Sequence, residues 1–284
     1  MALEALALGA AKGAVPILLA TLGAVVGQRA GVLNLGLEGV VYLSAAVAAA
    51  LGPPWGYIAA LAVGTAYNLL YYYLSNDMAL NQILLGFAFT MAAYGIGSQL
   101  AQPAVGKPFE KPPITGVEAF AAATALAVAI HIMLRTRLGL AIRASGDDPA
   151  SLDLIGVDVY WVRKVAGAIE GVLASAAGAY LVLAYYGSWT ESLVMGWGTL
   201  AVITAMIALW NPIAAIGASL VPSLFITLSY ALQSYLQASP HLLNTVPYLV
   251  SIAVLVAVQL ATRKTRGKTP APRWLAKPYI REER

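Results

Sequence analysis

NLGLEGVVYLSAAVAAALG, residues 34–52, holds one ionisable side chain, Glu38, and shows no strict alternation of apolar and polar positions. A run of roughly 20 apolar residues matches the hydrocarbon thickness of a bilayer when it is coiled as an α-helix. Inside hydrocarbon every backbone N–H and C=O needs an internal partner, so only helices and closed barrels span. A barrel strand would alternate its two faces, and this run does not, so it predicts a membrane-spanning helix. The pattern recurs near 5–27, 55–74, 80–100, 118–134, 162–186, 196–210, 213–235 and 241–261. The expected fold is therefore an all-α membrane protein, a polytopic transmembrane helix bundle of about 8–10 spans. The 196–210 stretch is short enough to be re-entrant, and 5–27 carries Lys12, which has to snorkel.

Composition agrees. Of 284 residues 60% are hydrophobic and 11% charged, against about 25% charged in soluble domains, and the mean hydropathy is +0.75. So little charge cannot cover a water-exposed surface, and lipid is the expected solvent. Cysteine is absent, which excludes disulfides, thiolate metal sites and thiol nucleophiles. His131 and His241 are too far apart to suggest a metal cluster. Glu4 and Lys12 interrupt the first apolar run and no basic segment precedes it, so it is expected to remain as a span rather than be cleaved as a signal peptide.

Lys and Arg set the expected orientation. With the 135–161 loop and the C-terminus cytoplasmic, the inner side holds Arg29, Arg135, Arg137, Arg143, Arg163, Lys164 and the eight basic residues of the tail, and the outer side Lys12, Lys107 and Lys111. The chain divides into a membrane domain, 1–262, and a basic cytoplasmic tail, 263–284, expected as a solvated anchor near anionic headgroups. Pro103, Pro108, Pro112 and Pro113 make 101–117 an extended external loop, and Gly52-Pro53-Pro54 and Asn211-Pro212 break other apolar runs.

Chemistry concentrates in a few segments. RTRLGLAIRASGDDPASLDLIGVDVYW, residues 135–161, contains a short-helix signature: Asp148 as N-cap, Pro149 at the first helical position and Gly156 past the end. Asp147, Asp148 and Asp153 gather at or near its positive end. Leu152 and Ile155, three apart, share a face that a soluble partner or the protein itself covers. In Gln28–Gly39, three glycines, Asn34 and Glu38 interrupt an apolar region; this is either a broken helix lining a pathway or a tight helix crossing. Asn81 and Gln82 open a span and suit either a hydroxylated solute or the free donors of a helix start. Glu170, two turns into a span, has Arg163 and Lys164 as candidate partners. Tyr71, Tyr72, Tyr73, Tyr185, Tyr186 and Trp189 read as an aromatic belt. Gly267-Lys268-Thr269 imitates the end of a phosphate loop, but Thr262 stands where the earlier Gly belongs and no strand precedes it. The chain thus shows no ATP site of its own.

RAGVLNLGLEG (29–39), NQILLGFAF (81–89), RASGDDPASLDLIGVDVYWVR (143–163) and Trp210-Asn211-Pro212, in this order over about 15–260, resemble the permease subunits of ABC importers of the ribose, nucleoside and branched-chain amino acid group, the nucleoside and simple-sugar subgroup above all. The resemblance implies a transport subunit rather than an enzyme, without a cofactor of its own. A partner ABC ATPase binds ATP and Mg, a second permease chain completes the pathway, and an extracellular solute-binding protein delivers cargo. It implies a coupling helix at Asp147, Asp148, Pro149, Ala150, Leu152, Ile155 and Gly156. Asn34, Glu38, Asn81 and Gln82 become the candidate translocation pathway for a nucleoside or simple sugar across the plasma membrane. Lipid and a small solute are the other expected partners, and nucleic acid is not. Ala24 and Gln28 replace residues that are usually acidic in the family, Leu209 replaces a usual Arg, and Glu170 stands where small residues prevail. The alternative is a gradient-driven secondary transporter, with Glu38 and Glu170 as its only candidate carriers. An intramembrane enzyme ranks last, since no His–Glu metal pair, aspartate pair or Ser–His pair is in register.

Overall fold

The computed structural model describes residues 2–110, 112, 116–233, 240–266 and 271–281. Lys111 and Pro113 of the proline-rich loop and the Gly267-Lys268-Thr269 decoy lie outside the described residues. The helices are α1 (Ala2–Arg29), α2 (Leu37–Leu51), α3 (Trp55–Tyr72), α4 (Gln82–Ala101), α5 (Gly116–Met133), α6 (Arg137–Asp147), α7 (Pro149–Leu154), α8 (Val159–Tyr180), α9 (Glu191–Val194), α10 (Trp197–Ile207), α11 (Pro212–Gln233) and α12 (Pro240–Arg266). Among the described residues there are two isolated β-bridges and no sheet. Wider π-type turns, Tyr73–Asp77 and Leu181–Tyr186, extend α3 and α8. Six helices are long and apolar enough to cross a membrane; α2 and α10 are shorter apolar helices. Each predicted span coincides with a helix, and the shortest, 196–210, contains the 11-residue α10. α12 runs past the predicted domain edge at 262, to Arg266.

α8 and α1 are the long helices buried most deeply, and α12 is the one buried least. α1, α2, α3 and α8 pack closely on one another, and small residues line their crossings. Gly56, Ala60, Gly64 and Asn68 form the buried stripe of α3. Gly167 of α8 meets the Tyr72 ring, Gly171 meets Thr65 and Asn68, and Gly64 closes on Ser44 and Ser175. Lipid tails are as apolar as leucine, so such contact area, rather than apolar burial, holds helices together in a membrane. The expected aromatic belt is partly core: Tyr71, Tyr72 and Trp189 are buried, packed edge-on against Phe89, each other and Tyr42. Tyr73 is exposed, as a belt residue would be.

One end of the bundle carries Arg29, Arg135, Arg143, Arg163, α6 and α7 and is called the basic end below; loops 52–54 and 187–196 mark the far end. A side chain at Gly178 would run into the Val41 carbonyl of α2. Overpacking of this kind costs about 1–3 kcal/mol. Gly178→Val is therefore expected to lower the thermal unfolding midpoint of the purified protein markedly, while Gly95→Val, whose Cβ meets nothing within 4 Å, leaves it within error. Fluorescence-detected size-exclusion thermostability measures both.

Candidate coupling helix and membrane polar network

The break between α1 and α2, residues 30–36, runs inside the bundle, and side chains from three helices satisfy it. Gln82 Oε1 accepts from the Leu33 N–H at 2.8 Å. The Tyr71 hydroxyl donates to the Leu33 and Gln82 carbonyls at 3.0 and 2.9 Å. Asn34 Nδ2 donates to Asn68 Oδ1 at 2.7 Å and to Glu170 Oε2 at 3.1 Å. Asn68 in turn donates to Glu170 at 3.4 Å and to the Gly167 carbonyl at 2.7 Å. Glu170 therefore has amide partners, and neither of the two candidate bases pairs with it among the described residues. Arg163, fully buried, donates to Asn76 Oδ1 and the Ser145 carbonyl, each at 3.1 Å, and Lys164 pairs with Asp77. Asn68, the hub of this cluster, was not singled out in the sequence. Its signal was present as the polar member of the small-residue stripe on α3.

Glu38, in the first turn of α2, is buried and serves the start of α10. Its Oε1 accepts from the Gly196 N–H at 2.6 Å and the Tyr94 hydroxyl at 3.0 Å. Its Oε2 accepts from the Thr199 N–H at 2.8 Å and the Thr199 hydroxyl at 3.3 Å. One carboxyl thus caps donors that a helix start leaves without an intrahelical partner, beside the positive ends of two helix dipoles. Asn81, exposed at the basic end, caps α4 through Ile83 and Leu84 N–H at 3.0 and 3.1 Å. Of the four pathway candidates, Asn34, Glu38 and Gln82 are buried and hydrogen-bonded inside the protein, with Asn34 Oδ1 and Gln82 Nε2 left without a partner among the described residues, and Asn81 is a helix cap. None lines the cavity of about 110 Å³ at the far end, whose walls include Tyr186, Ser192, Trp197, Tyr230, Asn244 and Tyr248.

The short helix lies where the residues placed it. α7 spans Pro149–Leu154, Asp148 Oδ1 accepts from the Ser151 N–H at 3.1 Å, and Gly156 has φ +86°, the left-handed geometry that ends helices at glycine. The Ser151 hydroxyl and N–H hold the Asp148 carboxyl below the ordinary carboxylate range. Asp147 and Asp148 are exposed, Pro149 is buried and Ala150 half-buried. The apolar face differs from expectation. Leu152 is buried with Val159 and Tyr279, whereas Leu154 and Ile155 are 73% and 76% exposed, so the open apolar pair is Leu154/Ile155 and not Leu152/Ile155. The six-residue helix is held by its i, i+3 neighbours inward, and its last turn faces out.

What covers Leu152 is the C-terminal segment, which departs from the expected solvated tail over its described residues. Trp274 N–H donates to the Gly146 carbonyl at 2.8 Å and Ala276 N–H to the Gly31 carbonyl at 3.1 Å. Tyr279 donates to Asp153 Oδ2 at 2.9 Å, and Arg281 clasps the same carboxyl through Nε and Nη2. Asp153 anchors the tail and is not free at the helix start. A second clamp holds the 208–211 corner. Leu209 and Trp210 have φ +52° and +55°, conformations that cost about 1–2 kcal/mol per non-glycine residue. They persist because Gln28 Oε1 accepts from the Trp210 indole at 2.6 Å and Arg29 Nε donates to the Trp210 carbonyl at 3.0 Å. The amide at 28 therefore has a neutral donor to serve.

A family model described as branched-chain amino acid transport system / permease component matches residues 6–259. The chain belongs to this ABC permease family. It is 32% identical to "Putative glucose ABC transporter permease protein TsgC13" of Haloferax volcanii, over 95% of this chain and 96% of that one. It is 26% identical to the guanosine ABC transporter permease protein NupQ of Bacillus subtilis, over 95% of each chain. It is 24% identical to the nucleoside ABC transporter permease protein NupC of Lactococcus lactis subsp. cremoris, over 94% of each. No solved structure matches it. Among the described residues the permease has no group of three or more His, Cys, Asp or Glu able to hold a metal ion.

Two outcomes are expected of this geometry. Glu38→Ala leaves the Gly196 and Thr199 N–H groups buried without an acceptor, at about 1–3 kcal/mol, and lowers the unfolding midpoint of the permease more than Glu38→Gln does. Because the Asp148 carboxyl is held below its ordinary range when folded, its cap on α7 is present at neutral pH and fades only as pH falls through that lowered value. Hydrogen exchange is expected to find the Ser151 amide equally protected at pH 7 and pH 6, and deprotected at both by Asp148→Ala.

Proposed function

We propose that this permease is the membrane subunit of an ATP-driven importer that moves a nucleoside or simple sugar into the cell, with α7 as the helix that receives motion from a separate ATPase. The observation that carries the reading is the exposed Leu154/Ile155 pair on a capped helix, braced from behind by Asp153–Arg281 and Leu152–Tyr279. A helix that transmits force needs an open apolar surface on one side and rigid support on the other, and here both belong to α7 and its C-cap residue Ile155. In this reading the basic end faces the cytoplasm, as the excess of Lys and Arg favours, in the plasma membrane. A second permease chain completes the pathway, and a solute-binding protein meets the proline-rich far-end loop.

The solute class rests on two supports. The similar permeases carry names referring to glucose, guanosine and nucleosides. The far-end cavity presents three tyrosines, a tryptophan, two serines and an asparagine, a mixture of flat apolar faces and hydroxyl or amide groups that suits a sugar ring or a nucleobase. A gradient-driven carrier would need a chain of titrating groups. Glu38 and Glu170 instead serve separate hydrogen-bond sets, so this reading is the less favoured.

Leu154→Asp and Ile155→Asp are expected to abolish copurification of the cognate ATPase while the permease still inserts and elutes as a single species. Leu152→Asp is expected to fail differently, by loss of the folded permease itself, since it buries a charge. Normal ATPase recovery with both surface variants would sink the coupling role of α7.

A further inference from the structure

At the basic end, where α5 ends and α11 begins, lies a cavity of about 370 Å³ whose polar lining is Arg29, His131, Arg135, Arg143 and Asn211, with Ala214 beside them. None of the four pathway candidates lines it, and α7 does not reach it. Its volume falls in the range of roughly 300–1,000 Å³ usual for small-molecule sites. Three arginines share one concavity with no carboxylate among its lining residues; Asp147, exposed at the end of α6, is the acid that acts on Arg29. Like charges gathered this way repel unless an anion offsets them. The Arg143 Nε is buried and has no hydrogen-bond partner among the described residues. Arg29 spends its Nε on the Trp210 carbonyl. Asn211 spends its Oδ1 on the Ile213 N–H at 3.0 Å, so the positive end of the 22-residue α11 also opens here.

Lipid is the source of anion that the surroundings favour. α5 and α11 expose most of their apolar length. Val128 and Ile132, one turn apart on α5 and flanking His131 in sequence, are exposed, as is Ile213 in the first turn of α11. An acyl chain has an apolar track leading from the cavity mouth, and a free phosphate has no use for it. We propose that this cavity binds the phosphate of an anionic membrane lipid, with Arg135 and Arg143 as its main cationic contacts and the lipid tails laid along α5 and α11.

The test is native mass spectrometry of the full-length permease released from nanodiscs of phosphatidylglycerol, of phosphatidylcholine, or of an equal mixture. Wild type is expected to retain phosphatidylglycerol selectively from the mixture. Arg135→Gln with Arg143→Gln is expected to reduce that retention by about tenfold or more, given about 1 kcal/mol for each basic residue at an anionic surface, with phosphatidylcholine retention unchanged. Arg135→Lys with Arg143→Lys, which keeps the charge, is expected to hold most of it, and so is Lys264→Gln, at the same end but off the cavity. If the glutamine pair does not fold, wild type alone decides: rising salt is expected to strip phosphatidylglycerol and spare phosphatidylcholine. Equal retention of the two lipids by wild type overturns the proposal. Retention by the glutamine pair equal to that of wild type does so too. Displacement of phosphatidylglycerol by inorganic phosphate, with phosphate bound in phosphatidylcholine discs, reassigns the cavity to a free anion and overturns the lipid site. The outcome is independent of whether α7 receives an ATPase.

Discussion

Non-helical backbone cannot lie in hydrocarbon unless something other than lipid satisfies it. The break at 30–36 between α1 and α2 imposes that demand, and much of the polar chemistry inside this permease answers it. Gln82 and Tyr71 serve Leu33. Asn34 is fixed by Asn68 and Glu170, and Thr90 reaches the Leu35 carbonyl at 3.4 Å. Glycine completes the arrangement. A side chain at Gly86 would come within 2.7 Å of Leu35, and one at Gly36 within 3.1 Å of Phe89, so α4 seats directly on the broken segment. Asn34 and Gln82, which look like a solute path when read singly, brace this one unwound stretch of chain, while Glu38 caps the start of α10 and Asn81 that of α4.

This accounts for what the sequence disclosed and what it hid. The helices were legible because apolar length and charge exclusion are one-dimensional properties; α7 was legible because Asp148 and Gly156 act on neighbours three positions away and Pro149 stands at the first helical position. Long-range partners were not. Nothing local says that Glu38 caps a helix starting near 197, or that Glu170 turns to Asn34 and Asn68 rather than to the bases one or two turns before it. The exposed face of α7 was misread for a related reason. Leu152 and Ile155 do share a helical face in sequence, but the helix stops at Leu154 and the chain turns at Gly156. Tyr279, more than a hundred residues on, closes over Leu152 and leaves Leu154 and Ile155 open.

The C-terminal segment shows how composition can mislead about a tail. Its basic and proline content suggested a solvated anchor, yet its backbone runs along the basic end and donates to Gly146 and Gly31. Both acceptors sit at glycines for steric reasons. Gly146 lies against the Arg29 backbone, and Gly31 has φ +90° with Arg163 Nη2 at 3.0 Å from where a Cβ would stand. Arg163 is buried and pairs with no carboxylate among the described residues. A buried cation is costly unless well hydrogen-bonded, and its donors to Asn76 and Ser145 tie the end of α3, α6 and α8 into one block. The tail behind α7 joins that block through the Tyr160 hydroxyl of α8, which donates to the Tyr279 carbonyl at 3.0 Å, and through the Trp274 N–H on Gly146.

α10 then becomes the element to consider for movement. It is 11 residues, about 16 Å long, and too short to cross alone. Its first turn is held by Glu38, and the corner after its last turn is held by Gln28 and Arg29 through Trp210. Both tethers lie within the 28–38 stretch, on either side of the unwound segment, so α10 cannot shift independently of the break between α1 and α2. Its start also carries Trp197, which forms part of the far-end cavity wall. A displacement of the 30–36 segment, which touches the block beneath α7 at Gly31, would therefore reposition that wall. The carboxyls of Glu38 and Glu170 accept the hydrogen bonds that hold these helices to one another.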